Sequence, residues 1–355
     1  MESQAKINTE RIFASMFNYK QLVVDQLEFK STVPVPYGRL SFADGISNKI
    51  DQYYGSNRWK NNLHNAIVSF SGIKESDNHE DIFKDDYGVT WRYGMGAKHI
   101  EIPALEKPSL NGYKFPSVEE LCPDRILEET EAKIASSKEY FSLVTFSFGL
   151  FERTWTLRGF ENTLMDIAAE PAFYEDLIEA VTEHQLQMIE RLIQTSADGI
   201  YFSDDWCEQR GVIIGAARWR ELVKPRVARL YDKVHAAGKY VISHCCGNVS
   251  EIIGDCVEIG LNCLQSVQPE AMNPYELKKL FSGQMAFWGG LGSQRTVPFG
   301  TPNEIKKEVK KLRSEMAKDG GYILGPAKMI LDDTPLENAI AVLESFNEEY
   351  NYKTL

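Results

Sequence analysis

Two residues in the second half of the chain, His244 and Cys246, have the types and spacing of metal ligands. They lie two positions apart at the end of a short apolar run, so strand alternation places both side chains on the same side of the chain. Imidazole nitrogen and thiolate sulfur are both good ligands for zinc. The alternative is a hydrogen-bonded histidine beside a packed cysteine. Cys245, between them, is expected to point the opposite way and to pack in the core.

Acidic residues follow two other apolar runs. Asp204 and Asp205 follow residues 200–202 after a single serine, and we predict that at least one of them faces a site while the other caps the next segment. Glu152 and Arg153 follow residues 141–146 and could line the same mouth. The alternative for this second pair is a mutual ion pair at the surface. We take Asp204, Asp205 and Glu152 as catalytic candidates and Arg153 as a substrate-binding candidate.

Four further residues complete the candidate set. Gln268 and Gln294 carry amide groups that could orient a substrate, although hydrogen bonding in the core is the simpler alternative. Trp206 follows the acidic pair and is a candidate substrate contact. Lys328 could supply a cation for a carboxylate or phosphate, and we include it among the catalytic candidates.

The elements that must position these residues alternate in type from about residue 140. Short apolar runs alternate with long amphipathic segments, which is typical of parallel strands with helical crossovers. We predict strands over 141–146, 200–202, 240–243, 262–267, 285–288 and 321–324, and helices over 171–195, 217–236, 249–259, 274–281, 301–318 and 335–348. Polar residues and glycines gather after each predicted strand, as a barrel active site requires. The predicted fold class is therefore α/β, a (β/α)8 barrel of the TIM type.

The first 140 residues are less regular. Residues 31–36 and 65–70 are candidates for the first two strands. The polar segment 73–123 contains several glycines and prolines, and we predict an irregular excursion over the barrel mouth that acts as a lid or binding loop. No linker separates two parts, so we expect residues 1–355 to form one domain.

Composition limits the classes of function. The net charge of −12 argues against a nucleic-acid surface, and no apolar run is long enough to span a membrane. The first residues lack the apolar core of a signal peptide. The six cysteines include an adjacent pair, which makes a poor disulfide framework. We expect a cytoplasmic enzyme.

The ordered motifs resemble the uroporphyrinogen decarboxylase superfamily, which includes zinc-dependent methyltransferases acting with methylcobalamin. The resemblance extends from about residue 141 to the end of the chain and rests on Asp204-Asp205-Trp206, His244 with Cys246-Gly247-Asn248, Val267-Gln268-Pro269, Trp288-Gly289-Gly290, Gly321-Tyr322-Ile323-Leu324 and Thr334-Pro335-Leu336-Glu337-Asn338. True uroporphyrinogen decarboxylases carry an early Arg-Gln-Ala-Gly-Arg segment for substrate carboxylates. Here the early arginines, such as Arg39 and Arg92, are isolated, so we predict that the chain is not a true uroporphyrinogen decarboxylase.

The His-x-Cys element is similar to the methyltransferase branch. In that branch, zinc held by His-x-Cys and a later cysteine binds a thiol substrate, and the thiolate attacks the methyl group on cobalt. Gly325-Pro326-Ala327-Lys328 stands where the later cysteine is expected, and no cysteine follows Cys263. Asp204, Asp205, Glu152 or Cys263 would have to complete the site.

The leading hypothesis is zinc-assisted methyl transfer between a corrinoid on a separate protein and a small molecule. Zinc would be held by His244 and Cys246, and Asp204 or Glu152 would complete or support the site. The second hypothesis is a metal-independent decarboxylase or lyase in which Lys328 or Arg153 anchors a carboxylate. The third is a non-catalytic binder of a tetrapyrrole or corrinoid. The sequence does not determine the oligomeric state, and a homodimer is one of the alternatives.

Overall fold

The computed structural model describes residues 17–74, 80–94 and 97–350. These residues divide into two compact units. Within the described ranges, the first unit draws on residues 17–68, 136–142 and 262–350, and the second unit on residues 69–135 and 143–261.

The described elements alternate in type over most of the chain, as the sequence predicts. The strands are β1 Ile67–Ser71, β2 Ile82–Lys84, β3 Thr90–Gly94, β4 Ala97–Ile102, β5 Phe141–Phe146, β6 Gly199–Ser203, β7 Cys207–Glu208, β8 Gly211–Val212, β9 Tyr240–His244, β10 Cys263–Val267, β11 Ala286–Leu291 and β12 Tyr322–Pro326. The α-helices are α1 Tyr19–Leu27, α2 Asp44–Tyr54, α3 Val118–Leu121, α4 Asp124–Ala135, α5 Leu150–Arg158, α6 Phe160–Ala169, α7 Pro171–Leu192, α8 Ala216–Arg218, α9 Lys224–Ala236, α10 Ile253–Glu258, α11 Pro274–Phe281, α12 Thr296–Phe299, α13 Pro302–Lys311 and α14 Leu336–Asn347. Short 3-10 turns cover Arg58–Asn62 and Glu348–Tyr350.

Seven strands form a parallel sheet in the order β1-β5-β6-β9-β10-β11-β12. The sheet follows chain order, and at least one helix lies between each pair of successive strands, which is the connectivity of an α/β barrel. The predicted fold class is confirmed. No helix in the described ranges combines the length and the apolar character needed to cross a membrane.

The second unit contains the strands that carry most of the candidate site. β5, β6 and β9 pair side by side, and the register sets Phe146 beside Phe202 and Ser203 beside His244. Nearly every residue of β5 and β6 is buried, as expected for strands covered on both faces. The carboxyl ends of β6 and β9 therefore finish side by side.

The segment predicted as an irregular excursion is partly regular. β2, β3 and β4 form a small antiparallel sheet, and α3 follows it. Phe83 and Trp91 bury their rings on one face of this sheet. Asp85–Gly88 forms a turn closed by a hydrogen bond from the Gly88 amide to the Asp85 carbonyl, and Gly88 takes a positive φ of 84°.

The first unit contains β10, β11 and β12. Residues 31–36 do not form the predicted strand, because Pro34 and Pro36 have no N–H to donate to a neighbouring strand. Tyr37, just after this segment, bridges in parallel to both Asn65 and Leu324, and Phe42 bridges to Ile330. Tyr37 alone thus bridges to both neighbours at the position where a (β/α)8 barrel has its eighth strand.

Two helices contain wider turns than the sequence suggests. A π-helical turn, Trp219–Val223, separates α8 from α9, and another, Leu312–Met316, follows α13. The first lies directly before Pro225, which cannot donate the usual backbone hydrogen bond. The prediction of one continuous helix over 217–236 is therefore corrected at this point.

Candidate metal and substrate site

Three potential metal ligands meet at the adjacent ends of β6 and β9. Asp205 follows β6, whereas His244 ends β9 and Cys246 lies two residues later. Their ligand atoms, a carboxylate oxygen, an imidazole nitrogen and a thiol sulfur, all lie within 4.8 Å of one another. All three side chains are partly exposed.

The separations agree with those of ligands around a common ion. His244 Nε2 lies 3.2 Å from Cys246 Sγ and 3.7 Å from Asp205 Oδ1. Ligand atoms about 2.0–2.3 Å from zinc in tetrahedral positions are about 3.3–3.7 Å apart. An oxygen, a nitrogen and a sulfur also form a donor set that zinc accepts. The residues present therefore fit zinc in chemistry and spacing.

The backbone orients the acidic member of this triad. The Cys246 amide donates a hydrogen bond of 2.7 Å to Asp205 Oδ1, the same oxygen that faces His244. Cys245 is buried, as predicted, and contacts Cys207 rather than the triad. Burial and the neighbouring Cys207 thiol raise the pKa of Cys245 well above its usual range. Of the adjacent cysteines, only Cys246 offers its sulfur to the triad.

Asp204 has a different role from its neighbour. Its carboxylate accepts hydrogen bonds from the backbone amides of Phe151 (3.0 Å) and Glu152 (2.8 Å), in the first turn of α5. Burial raises the pKa of Asp204 to about 7, although these hydrogen bonds and that from Trp206 act in the opposite direction. The sequence pattern favours Asp204 or Glu152 as the third ligand, whereas the carboxylate that lies beside His244 and Cys246 in the structure is that of Asp205.

A glycine makes this capping contact possible. A Cβ added to Gly149 would lie 2.3 Å from Asp204 Cβ, which is closer than any real contact of this kind. Trp206 supports the same carboxylate from the other side, since its indole N–H donates to Asp204 Oδ2 at 2.7 Å. Trp206 is buried against Trp219, and its expected contact with substrate stays a prediction.

Glu152 lies on α5, next to the capped turn. Burial, with the negative charges of Asp204 and Asp205, raises the pKa of Glu152 to about 9, and Arg153 opposes this shift only weakly. The Glu152 carboxyl is therefore protonated at neutral pH in the metal-free protein. Glu152 is thus a partly exposed acid with a raised pKa, next to the buried Asp204.

Arg153 lines a cavity of about 380 Å³ within the second unit. The arginine is only 7% exposed, and its guanidinium carbon lies 3.7 Å from the centre of the Tyr87 ring and 5.0 Å from that of Phe148. Among the described residues, its guanidinium has no hydrogen bond or ion pair. The mutual surface pairing of Glu152 and Arg153, which the sequence left open, is not observed.

Two residues that the sequence analysis did not single out shape this cavity. Gln185 donates its amide N–H to the Phe148 carbonyl, and its own buried Oε1 has no hydrogen-bond partner among the described residues. Phe148 has a positive φ of 53°, an unfavourable backbone conformation for a bulky residue. Gln185 lies on the buried face of α7, where the periodicity predicts only packing residues, so nothing in the sequence pattern marks it.

The remaining three candidates lie in the first unit. Gln268, just after β10, is buried, whereas Gln294 and Lys328 are exposed. The segments that carry Gln294 and Lys328 contact each other, because the Lys328 amide donates a hydrogen bond to the Ser293 hydroxyl. The shared cleft that the sequence predicts for these residues and the β6–β9 residues stays a prediction.

Comparisons with known proteins agree on the family. The family model described as uroporphyrinogen decarboxylase (URO-D) matches residues 95–349. Curated proteins named uroporphyrinogen decarboxylase match more weakly. The relative from Thermus thermophilus is 25% identical over 179 residues, 50% of each chain, and that from Geotalea uraniireducens is 26% identical over 182 residues, 50% of this chain and 49% of the relative. The chain thus spans about half the length of the curated relatives it matches.

A solved structure extends the likeness over the whole fold. A methyltransferase from Methanosarcina mazei superposes with a TM-score of 0.70 and 17% identity, covering 94% of this chain and 99% of the other. At that identity the likeness concerns the fold alone. Because the family match covers most of the chain, this protein belongs to the uroporphyrinogen decarboxylase (URO-D) family.

Proposed function

We propose that this protein is a zinc-assisted methyltransferase that moves a methyl group between a corrinoid, carried on a separate protein, and a small molecule. The observation that carries the proposal is the group formed by Asp205, His244 and Cys246, whose ligand atoms lie within 4.8 Å of one another. Three protein ligands leave the fourth tetrahedral position for a substrate, which is the arrangement of a catalytic rather than a structural zinc site.

Zinc in this position would supply Lewis acidity that lowers the pKa of a thiol substrate and makes it nucleophilic. The protein's part is to hold the ligands in place. The Cys246 amide orients the Asp205 carboxylate, and the β6–β9 register brings His244 beside it. Asp204 fixes the adjacent turn through the α5 amides.

Glu152 is the proposed proton carrier. Its partly exposed carboxyl, with a pKa of about 9, keeps its proton at neutral pH and can deliver it to a reacting group; only after it has lost that proton can it accept one released from a thiol. A positive charge nearby would favour its ionised form, so zinc loading should make this carboxyl more acidic. Asp204, already engaged by three donors, is proposed to position α5 and not to transfer protons.

The similar proteins are named for two different activities, and each is a candidate for this protein. The protein with the similar fold is a methyltransferase, and the curated relatives are decarboxylases. We favour methyl transfer, because the chain lacks the early arginine segment and the described part contains a candidate metal triad. We therefore propose that it does not decarboxylate uroporphyrinogen to any useful extent.

The test is a methyl-transfer assay with methylcobalamin and a panel of small thiols, followed through the loss of methyl–cobalt absorbance under anaerobic conditions. Zinc-loaded protein should demethylate the corrinoid. Asp205→Asn should lower the rate at least about tenfold, because it replaces an anionic ligand with a neutral one. Asp176→Asn, at an exposed position on α7, is the matched control and should leave the rate unchanged.

Two outcomes would contradict the proposal. Equal rates for zinc-loaded and chelator-treated protein would exclude the metal from the reaction. Formation of coproporphyrinogen from uroporphyrinogen in an anaerobic assay would return the chain to the founding activity of the family.

A further inference from the structure

The cavity of the second unit contains buried polar groups that the protein does not satisfy. The guanidinium of Arg153 is 7% exposed and has no hydrogen bond or ion pair within the described ranges. Gln185 is 2% exposed, and its Oε1 has no hydrogen-bond partner there either. An unpaired buried acceptor is unfavourable, and Gln185 Oε1 is such an atom. Arg153, whose guanidinium has no hydrogen bond within the described ranges, lines the same cavity, and the two side chains together indicate a ligand that pairs with them.

The surroundings of Arg153 define the kind of partner. Tyr87, 3.7 Å away, occupies a face of the guanidinium, and Phe148 lies at 5.0 Å. Stacking occupies the face of the group and leaves its N–H edge available. A guanidinium edge matches the two oxygens of a planar carboxylate through paired hydrogen bonds.

Other charges in the cavity wall already have partners. Asp85 accepts hydrogen bonds from the Val89 amide and the Trp91 indole, and Asp86 pairs with Lys74 at 3.4 Å. Lys98 lies over the rings of Phe83 and Tyr93. The acidic groups are therefore engaged, and Arg153 remains as the buried cation that an anion can reach.

The histidine near Arg153 does not add a second buried charge. Burial, with the positive charge of Arg153, lowers the pKa of His184 to about 4, so its ring is neutral at neutral pH. Tyr87 is hydrogen-bonded to the same ring at 3.2 Å. The remaining lining includes the apolar side chains of Ile73, Leu121 and Met188, which suit a carbon skeleton better than a hydrated inorganic ion.

We propose that this cavity binds a small organic acid whose carboxylate pairs with Arg153 and whose hydroxyl or amino group donates a hydrogen bond to Gln185 Oε1.

Binding is tested by isothermal titration with L-lactate, L-malate, L-aspartate and salicylate, each against its neutral amide, and with inorganic phosphate. At least one acid should bind, and its amide should bind at least about tenfold more weakly, since hydrogen bonds to a charged group contribute about 1.5–3 kcal/mol. Failure of every acid to bind, or equal binding of acid and amide, would overturn the proposal. Binding of phosphate in preference to all the acids would overturn the assignment to a carboxylate.

Two variants localise the ligand. Arg153→Lys keeps the charge but loses the two-pronged donor, and it should weaken acid binding about tenfold or more. Arg125→Gln, an exposed arginine paired with Glu129, is the matched control and should change binding by less than about twofold.

Gln185→Met gives a second readout that does not depend on how well Arg153→Lys folds. The wild-type protein should prefer L-lactate over propionate, which lacks the hydroxyl, and Gln185→Met should remove that preference. An unchanged preference would refute the role of Gln185. Equal acid binding by wild type and folded Arg153→Lys would refute the role of Arg153.

The two proposals fail separately. The same titrations on chelator-treated protein measure the cavity without zinc. Acid binding in a protein that takes up no zinc would support the cavity site and refute the methyltransferase proposal. Zinc uptake and methyl transfer without acid binding would refute the cavity site alone.

Discussion

Replacing Cys246 with alanine tests the metal site most directly, because the adjacent Cys245 provides a control of the same residue type. Cys246 Sγ lies 3.2 Å from His244 Nε2, whereas Cys245 is buried and its sulfur contacts the Cys246 carbonyl. Cys246→Ala removes one of three ligands. Cys245→Ala removes none, so it should keep zinc uptake close to that of the wild type.

The magnitude follows from the number of ligands. Structural zinc sites with four ligands bind with about 10–16 kcal/mol, or about 2.5–4 kcal/mol for each ligand. Three ligands should give about 8–12 kcal/mol, a dissociation constant in the micromolar to nanomolar range. Loss of the thiolate should weaken binding by about a hundredfold to a thousandfold. We expect zinc below one equivalent in purified protein, and filling of the site when zinc is added at neutral pH.

The assay is a competitive titration of each variant against a fluorescent zinc chelator, with elemental analysis of the loaded proteins. Affinity should also fall on mild acidification, because the imidazole and the thiol must both be deprotonated to bind the ion. Equal zinc affinity in wild type and Cys246→Ala would refute the metal hypothesis. An equal loss in Cys245→Ala would show that zinc uptake depends on packing and not on the triad.

Two further predictions concern α5. Gly149→Ala should destabilise the protein by about 1–3 kcal/mol in urea unfolding, because its Cβ would overlap Asp204; Gly254→Ala, where nothing lies within 4 Å, should be neutral or stabilising, and equal effects would contradict the close contact. The second prediction is that Glu152→Gln changes how the stability of the protein depends on pH. The pKa of Glu152 is raised from 4.5 to about 9, so the folded state binds the proton more tightly, and stability falls as pH rises through this range. In metal-free protein, Tm of Glu152→Gln should therefore exceed that of the wild type increasingly from about pH 5 to about pH 9, and parallel Tm curves would contradict the shift.

The sequence predicted the parallel strands well because each is a short buried apolar run. The predicted ranges 141–146, 240–243 and 274–281 differ from the observed elements by at most one residue at either end. The pattern failed at residues 31–36, where valines suggest a strand but Pro34 and Pro36 remove the donors that a strand requires. It also missed the antiparallel sheet within 73–123, because its strands are only three to six residues long and mix apolar with polar residues, which is too short a pattern to mark a strand.

The candidate site was predicted in part. His244 and Cys246 come together because strand alternation is a local rule that spacing can reveal. The choice between Asp204 and Asp205 could not be made from spacing, because it depends on the α5 amides, which tertiary packing brings to Asp204. Gln185 was missed for a related reason, since a polar residue on a buried helix face becomes meaningful only when its partners are known.

The adjacency of Asp204 and Asp205 links two binding sites in thermodynamic terms. Asp204 fixes the first turn of α5, the helix that carries Arg153, while Asp205 faces His244 and Cys246. Zinc that restrains Asp205 therefore also restrains the turn that presents Arg153 to its ligand. Because such coupling is reciprocal, an organic acid must then strengthen zinc binding by the same factor by which zinc strengthens binding of the acid. Through Asp204 and Asp205, the binding of zinc and the binding of the organic acid would be cooperative without any movement of the barrel.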